Sequence, residues 1–194
     1  MEFSSDLLID LLNSLNLDEE IEYEEIPSID LYMDQVITLF ENNLSGNKRS
    51  AEDKILTKTM INNYAKDKLL MSIKNKKYSK EHIILMILIY NLKQSLSIAD
   101  IKYLVSPLVK DIEGNKDIDV SKLYKNYLNI KALDIEKNEK LVKDKYEAID
   151  SMAKNEDEKS KEYEVILLTA LSLINTANIQ KRLAEKIIDE YFKK

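Results

Sequence analysis

Apolar residues recur along this chain mostly at helical spacing, and the interruptions between them are short. Leu7, Leu8, Leu11, Leu12 and Leu15 share one face and predict a first helix over residues 5–17. The run LDEEIEYEEIPSID follows. It contains Pro27, whose fixed φ and missing N–H break a helix, so residues 18–28 read as an acidic linker. Residues 29–44 predict a second helix, with Leu31, Tyr32, Val36, Leu39 and Phe40 on one face and Gly46 as a left-handed stop. LSGNKRSAEDK is the most loop-like piece of the chain. Thr57 then caps a short amphipathic helix.

Beyond that helix, residues 69–79 alternate LLMSI with KNKKYS, which suits a small two-stranded hairpin with Asn75 near its tip. Ser79 caps an apolar helix over residues 80–94. Ser97 repeats the signal for a helix over residues 98–105, with Pro107 soon after. EGNKDID, residues 113–119, is a second break. Two long helical patterns follow. Residues 120–153 carry Tyr124, Leu128, Ile135, Val142, Tyr146 and Ile149 on one face, and residues 157–192 contain NTANIQKR, a polar patch expected to bend or divide the helix.

The chain has 194 residues, 44% of them hydrophobic, which suffices for a buried core, and only two glycines and two prolines, too little turn punctuation for a sandwich or barrel. An all-α protein is expected. Cysteine is absent, which excludes disulfides, thiol nucleophiles and thiolate metal sites. The apolar run IILMILIY is too short to span a bilayer, and MEFSSDLLIDLL carries acids where a secretory signal needs bases, so a cytoplasmic protein with no membrane partner is expected.

The net charge of -6 conceals a sharp partition. Residues 1–46 carry 12 acids and no base; residues 47–110 carry 13 bases and 5 acids; residues 111–194 carry 16 bases and 18 acids. A middle segment at +8 between acidic flanks is the pattern of a local polyanion site. The plainer reading is that lysine is common here and the acidic flank neutralises the patch.

Projection of the helix capped by Thr57 puts Met60, Ile61, Tyr64 and Ala65 on one side. Lys58, Thr59, Asn62, Asn63 and Lys66 fall on the other, with Asp67 at the margin. A face of bases and amides without acids suits the DNA major groove, where lysines meet phosphates and amides pair with adenine edges. Lys74, Lys76 and Lys77 would project from the hairpin and grip the neighbouring backbone without reading sequence.

LTKTMINNYAKDKLL followed by KKYSKEHIILMILIYNLKQSLSIADIKYLV resembles the winged helix-turn-helix of the MerR family. Tyr64 stands near the end of the recognition helix, Leu69 and Leu70 lead into the wing, and Tyr78 with Ser79 closes it. Leu96, Ser97, Ile98, Ile101 and Lys102 match the family's following helix. With IPSIDLYMDQV, the chain is still more similar to the bacterial family known as domain of unknown function 1836, over about residues 26–105. The resemblance implies a MerR-like winged helix-turn-helix and DNA as ligand. The chain departs from the MerR pattern in its longer loop before Thr57, in having no proline after Leu70 and no glycine in the wing, and in lysines where arginines are common.

The bland readings cover the remaining chemistry. His82, the single histidine, has no visible ligand or triad partners and is expected to pack at a helix start. Acid pairs such as Glu19 with Glu20 read as solvated linker, and the tyrosines as core. No phosphate-binding glycine loop or nucleophile motif occurs, so neither an enzyme nor a cofactor is expected. Tyr163, Ile166, Leu167, Ala170, Leu171, Leu173 and Ile174 form a stripe too wide for an isolated helix, which either packs on the preceding helix or seals a dimer.

The resulting expectation has three parts: an acidic N-terminal helix and linker over 1–25, a winged-helix DNA-binding domain over 26–112, and a C-terminal helical dimerisation or effector domain over 113–194. The expected function is a homodimeric, sequence-specific transcriptional regulator binding double-stranded DNA, with room for a small-molecule effector. The alternative is a protein-interaction adaptor whose basic face docks on an acidic partner or on its own acidic arm.

Overall fold

A computed structural model describes residues 3–114, 118–153 and 157–193. The chain is mostly helical: α1 Ser5–Asn13, α2 Met33–Leu44, α3 Lys58–Lys66, α4 Lys80–Lys93, α5 Ile98–Glu113, α6 Val120–Met152 and α7 Glu158–Tyr191. Two short strands, β1 Leu31–Tyr32 and β2 Lys77–Tyr78, pair antiparallel with Leu31 opposite Tyr78 and Tyr32 opposite Lys77. Backbone contacts group the chain into two compact units, residues 19–129 with 184–194, and residues 1–18 with 130–183. Among the described residues, no helix is long and apolar enough to cross a membrane.

The larger unit is built around α4. Ile83, Ile84, Leu85, Met86, Ile87 and Ile89 are all buried, so this helix is apolar around its circumference and has to be enclosed. Val36, Phe40 and Leu44 of α2, Ile61 and Tyr64 of α3, and Ile101, Val105 and Val109 of α5 join it in one cluster. Val120 and Tyr124 from the start of α6 complete the cluster.

Residues 18–28, expected as a linker, belong to this core instead. Ile21 and Ile26 are almost fully buried, and the Tyr124 hydroxyl donates to the Ile21 carbonyl at 2.6 Å. Burial pushes the Tyr124 hydroxyl well above its ordinary pKa, so it remains a donor. Lys125 pairs with Glu24 at 2.5 Å, Ser121 donates to the Tyr23 hydroxyl, and the Lys80 ammonium stands 3.5 Å from the Tyr23 ring centroid. Glu22, Glu24 and Glu25 of this strap are exposed, Glu19 and Glu20 are half-buried, and the two isoleucines face inward.

Gly46 also serves another purpose than the one expected. It lies in a 3-10 turn, Ser45–Asn47, and no glycine among the described residues has positive φ. Its N–H donates to Glu19 Oε2 at 2.8 Å, and a Cβ at this position would overlap that carboxylate. Helix α5 likewise runs through Pro107 to Glu113 instead of ending near Val105. Its apolar face of Ile101, Val105 and Val109, with Leu104, Leu108 and Ile112, outweighs the roughly 3 kcal/mol that an interior proline costs. Tyr32 is exposed and sits in β1, off the apolar face assigned to it. The break at residues 113–119 opens with Gly114 capping α5; residues 115–117 lie outside the described residues.

In the smaller unit the predicted inner face of α6 is realised at Val142, buried, and at Ile135, Tyr146 and Ile149, half-buried. Phe3 bridges the two long helices: its N–H donates to Glu162 at 3.1 Å and its carbonyl accepts from Tyr146 at 2.9 Å. Asp150 pairs with Lys161 at 2.8 Å. Helix α7 passes through NTANIQKR undivided. Of its apolar stripe, Tyr163, Ile166, Leu167, Leu171 and Ile174 stay 42–68% exposed, and the buried positions of α7 within this unit are Val165 and Thr169.

Because Ile21 is a core residue, Ile21→Ala is expected to lower unfolding free energy by about 2–5 kcal/mol. The check is urea denaturation, reading the midpoint at constant slope. A change within about 0.5 kcal/mol, as at an exposed linker position, would contradict the placement.

Candidate nucleic-acid interface

Helix α3 owes its orientation to both of its ends. At the start, the Thr57 hydroxyl accepts the Met60 N–H at 3.2 Å. At the end, Lys68 adopts φ 59°, so that the Leu69 N–H reaches the Tyr64 carbonyl at 2.9 Å and the Lys68 N–H reaches Ala65 at 3.1 Å. This is the Schellman arrangement, with buried Leu69 and Tyr64 supplying its usual apolar contact. Ile61 and Tyr64 are thereby held in the core, and Lys58, Thr59, Asn62, Asn63 and Lys66 are all exposed on the opposite side. The sidedness expected from the sequence is present at every position.

Electrostatically the face is positive but not bare. The first turn of α3 holds no acid, so Lys58 adds to the positive end of the helix dipole. Its counter-ion is Asp34 of α2, at 2.8 Å. Both side chains are well exposed, so the pair contributes little and exchanges readily.

The hairpin differs from the expected pair of strands. Residues 69–71 are buried without forming a strand, and a single bridge joins Lys74 to Lys77. The main partner of β2 is β1, 45 to 47 positions earlier in the chain, and α2 packs on both strands and on α3. Asn75 and Lys76 form the tip with φ of 52° and 58°, and the Lys77 N–H returns to the Lys74 carbonyl at 3.0 Å. Two left-handed residues in a two-residue loop are the mark of a type I′ turn, whose twist matches that of the strands. Asparagine is well suited to its place, whereas lysine at the second is not.

Lys74 and Lys76 project into solvent. Lys77 is half-buried, its ammonium 5.1 Å from the Tyr32 ring centroid. Lys68, exposed at the end of α3, extends the basic surface beyond the residues singled out by sequence; its left-handed backbone was hidden because glycine or asparagine is the usual signal there. Among the described residues no group of three or more His, Cys, Asp or Glu is placed to hold a metal ion.

The class defined by this fold is a mostly helical domain carrying a two-stranded antiparallel sheet and one exposed face of lysine and asparagine. The chain belongs to the family described as Domain of unknown function (DUF1836), which it matches over residues 21–127. The match begins at Ile21, the first core residue of the strap, and extends beyond Tyr124. No curated protein matches the chain, and no solved structure does.

Glycine is favoured where Lys76 stands, so Lys76→Gly is expected to raise unfolding free energy by about 0.5–1 kcal/mol, relief of left-handed strain exceeding the added chain entropy. A lower urea midpoint in this variant would mean that the tip is not a type I′ turn.

Proposed function

We propose that this protein is a sequence-specific DNA-binding transcriptional regulator of MerR-like winged-helix type, acting in the cytoplasm as a homodimer. Helix α3 serves as recognition helix and the residue 74–77 hairpin as wing. The observation that carries the reading is the outer face of α3, where Lys58, Thr59, Asn62, Asn63 and Lys66 are exposed together without an acid among them. Amides in the middle of such a face can pair with adenine edges, and lysines at its ends can meet the phosphates on either side. A left-handed lysine at the hairpin tip adds support, since a strained position that keeps a charged side chain fits a contact made there.

Dimerisation is assigned to α7, where Tyr163, Ile166, Leu167, Leu171 and Ile174 leave a row of large apolar side chains exposed along one helix. A two-fold dimer would present two copies of α3 to the halves of a palindrome.

The adaptor reading draws on one specific observation, the Asp34–Lys58 pair, in which an acid of the chain already occupies a base of the face. Asp34→Asn separates the two readings. A DNA binder gains affinity when this counter-ion is removed, whereas an adaptor stays indifferent to duplex. The substitution leaves the core untouched, unlike removal of residues 1–25, which would take out Ile21.

The test is titration of fluorescent duplexes, both random and genomic, with purified protein between about 50 and 200 mM salt. Removing Lys74, Lys76 or Lys77 should weaken all duplexes alike and reduce the salt slope by about one for each lysine that meets a phosphate. Changing Asn62 or Asn63 to Ala should reduce discrimination between sites by about 1–3 kcal/mol. Absence of binding at the lowest salt defeats the DNA reading. Sedimentation of Leu167→Glu with Leu171→Glu should show monomer where the natural chain shows dimer, and a monomeric natural chain would remove the dimer.

A further inference from the structure

One side chain spans the base of the hairpin. His82, in the first turn of α4, is 7% exposed and has both ring nitrogens engaged. Nδ1 lies 3.2 Å from the Ser79 N–H, which donates to it, and Nε2 lies 3.3 Å from the Met71 carbonyl. A carbonyl can only accept, so Nε2 carries the proton and Nδ1 is the acceptor. Met71 is where the chain enters the hairpin and Ser79 is where it leaves. One neutral imidazole therefore spans the two ends of the segment that carries Lys74, Lys76 and Lys77.

We infer that His82 is a positioning residue that clasps residues 71–79 in its neutral form and releases them when protonated, so that presentation of the hairpin lysines is controlled by pH.

A proton on Nδ1 removes the acceptor of the Ser79 N–H. The new N–H could turn to Ser79 Oγ, 2.9 Å away, whose own proton is given to Glu81 at 2.6 Å, but the amide would be left without its partner. The groups facing the ring act in both directions. Glu81 on its own helix, Asp30 before β1 and Glu113 at the end of α5 favour a charged imidazole, while burial opposes it and prevails, holding the ring below its ordinary pKa. Lys74 and Lys77 share with His82 an open cavity of about 490 Å³ and also disfavour a third positive charge. Tyr78 meets the ring edge-on at a centroid distance of 5.8 Å and carries no charge near neutrality. The cavity gives water a route to the ring.

A second tie holds the entry side. Glu113 accepts from both the N–H and the hydroxyl of Ser72, at 2.7 and 2.9 Å, and these bonds keep its carboxyl below the usual range. Between pH 7.5 and 5.0 this tie persists, because the bonds from Ser72 hold the Glu113 carboxyl below the ordinary carboxylate range and keep it ionised. The release is thus predicted at Ser79 before it reaches Ser72.

The sign follows from linkage. A histidine whose folded pKa is depressed contributes stability that is present above its unfolded value, near 6.5, and lost as pH falls. Only the opened hairpin takes up the proton freely, so the opening equilibrium grows by up to about thirtyfold between pH 7.5 and 5.0.

The test is amide hydrogen exchange on the full chain at pH 7.5 and 5.0, corrected for intrinsic rates, alongside urea denaturation at both values. Protection of the Ser79 and Lys77 amides should fall by about ten- to thirtyfold at pH 5.0 while α4 stays protected. His82→Gln keeps an acceptor for the Ser79 N–H but does not titrate, so its hairpin protection should be the same at both pH values. His82→Leu should show low hairpin protection at both. Equal protection of the natural chain at the two pH values overturns the clasp, as does a His82→Gln variant that loses protection on acidification as the natural chain does. The inference uses the DNA reading only for its consequence, the loss of the wing's share of the salt slope at pH 5.0. A hairpin that opens as described in a protein that binds no duplex sustains the clasp and removes the DNA reading alone.

Discussion

An α-helix that is apolar on all sides cannot rest on a single neighbour, and α4 imposes that constraint on the larger unit. Ile83 to Ile87 are buried in unbroken succession, so every direction from the helix axis requires a cover. Helices α2, α3 and α5 supply three, and the strap with the start of α6 supplies the remainder. The Tyr124–Ile21 hydrogen bond satisfies two polar groups that burial would otherwise leave without water, and so allows an acidic strap to end in the core. His82 is the one titratable group that α4 buries among the described residues, and it lies in the first turn, where open backbone groups require partners.

The same core decides what happens to charge. Twelve acids precede the basic segment, and several of them are claimed by partners away from the basic faces of α3 and the hairpin. Glu19 receives the Gly46 N–H, Glu25 receives the Glu22 N–H, and Glu24 turns to Lys125, which lies beyond the segment. Within the segment Asp53 closes a turn on Ser50, and at the end of α5 Glu113 closes on Ser72. Asp34 does meet Lys58, and Glu41 meets Lys48. Carboxylates held by backbone donors cannot move to neutralise a lysine elsewhere. Part of the charge partition visible in the sequence is thereby kept at the surface, while the Asp34–Lys58 and Glu41–Lys48 pairs neutralise part of the basic segment in cis.

Local signals were the legible ones. Thr57 caps α3, Ser97 caps α5, and the inner face of α6 repeats over enough turns to be read directly. Three features were not legible, each for a physical reason. The strap shows two isoleucines five positions apart among acids, which matches neither helical nor strand period, because its packing partner lies about a hundred residues away. Strand β1 is two residues long and exists only through β2, so nothing local announces it. The left-handed positions at the end of α3 and at the hairpin tip carry Lys68 and Lys76 in place of glycine, and the one glycine expected to be left-handed is instead the cradle of a carboxylate. For the strap and β1 a tertiary contact overrode local propensity, whereas at Lys68 and Lys76 local backbone hydrogen bonds accompany a conformation that lysine does not announce. The outer face of α3 was legible for the opposite reason: it is defined by what the core takes from the other side of the helix, and Ile61 and Tyr64 mark that side in the sequence.

The smaller unit meets a different balance. It joins α1 to the greater part of α6 and α7, and among its described residues the buried side chains are Val142, Ala153, Val165 and Thr169. Two helices of more than thirty residues held by so few buried positions leave much of their apolar surface in water. Polar links through Phe3, Tyr146 and Lys161 fix how the helices meet but bury little more. A row of exposed apolar side chains on one helix is the kind of surface that a second copy could cover. The proposed second copy gives that face a reason to be apolar, and it does so without drawing on the well-packed unit that carries α3.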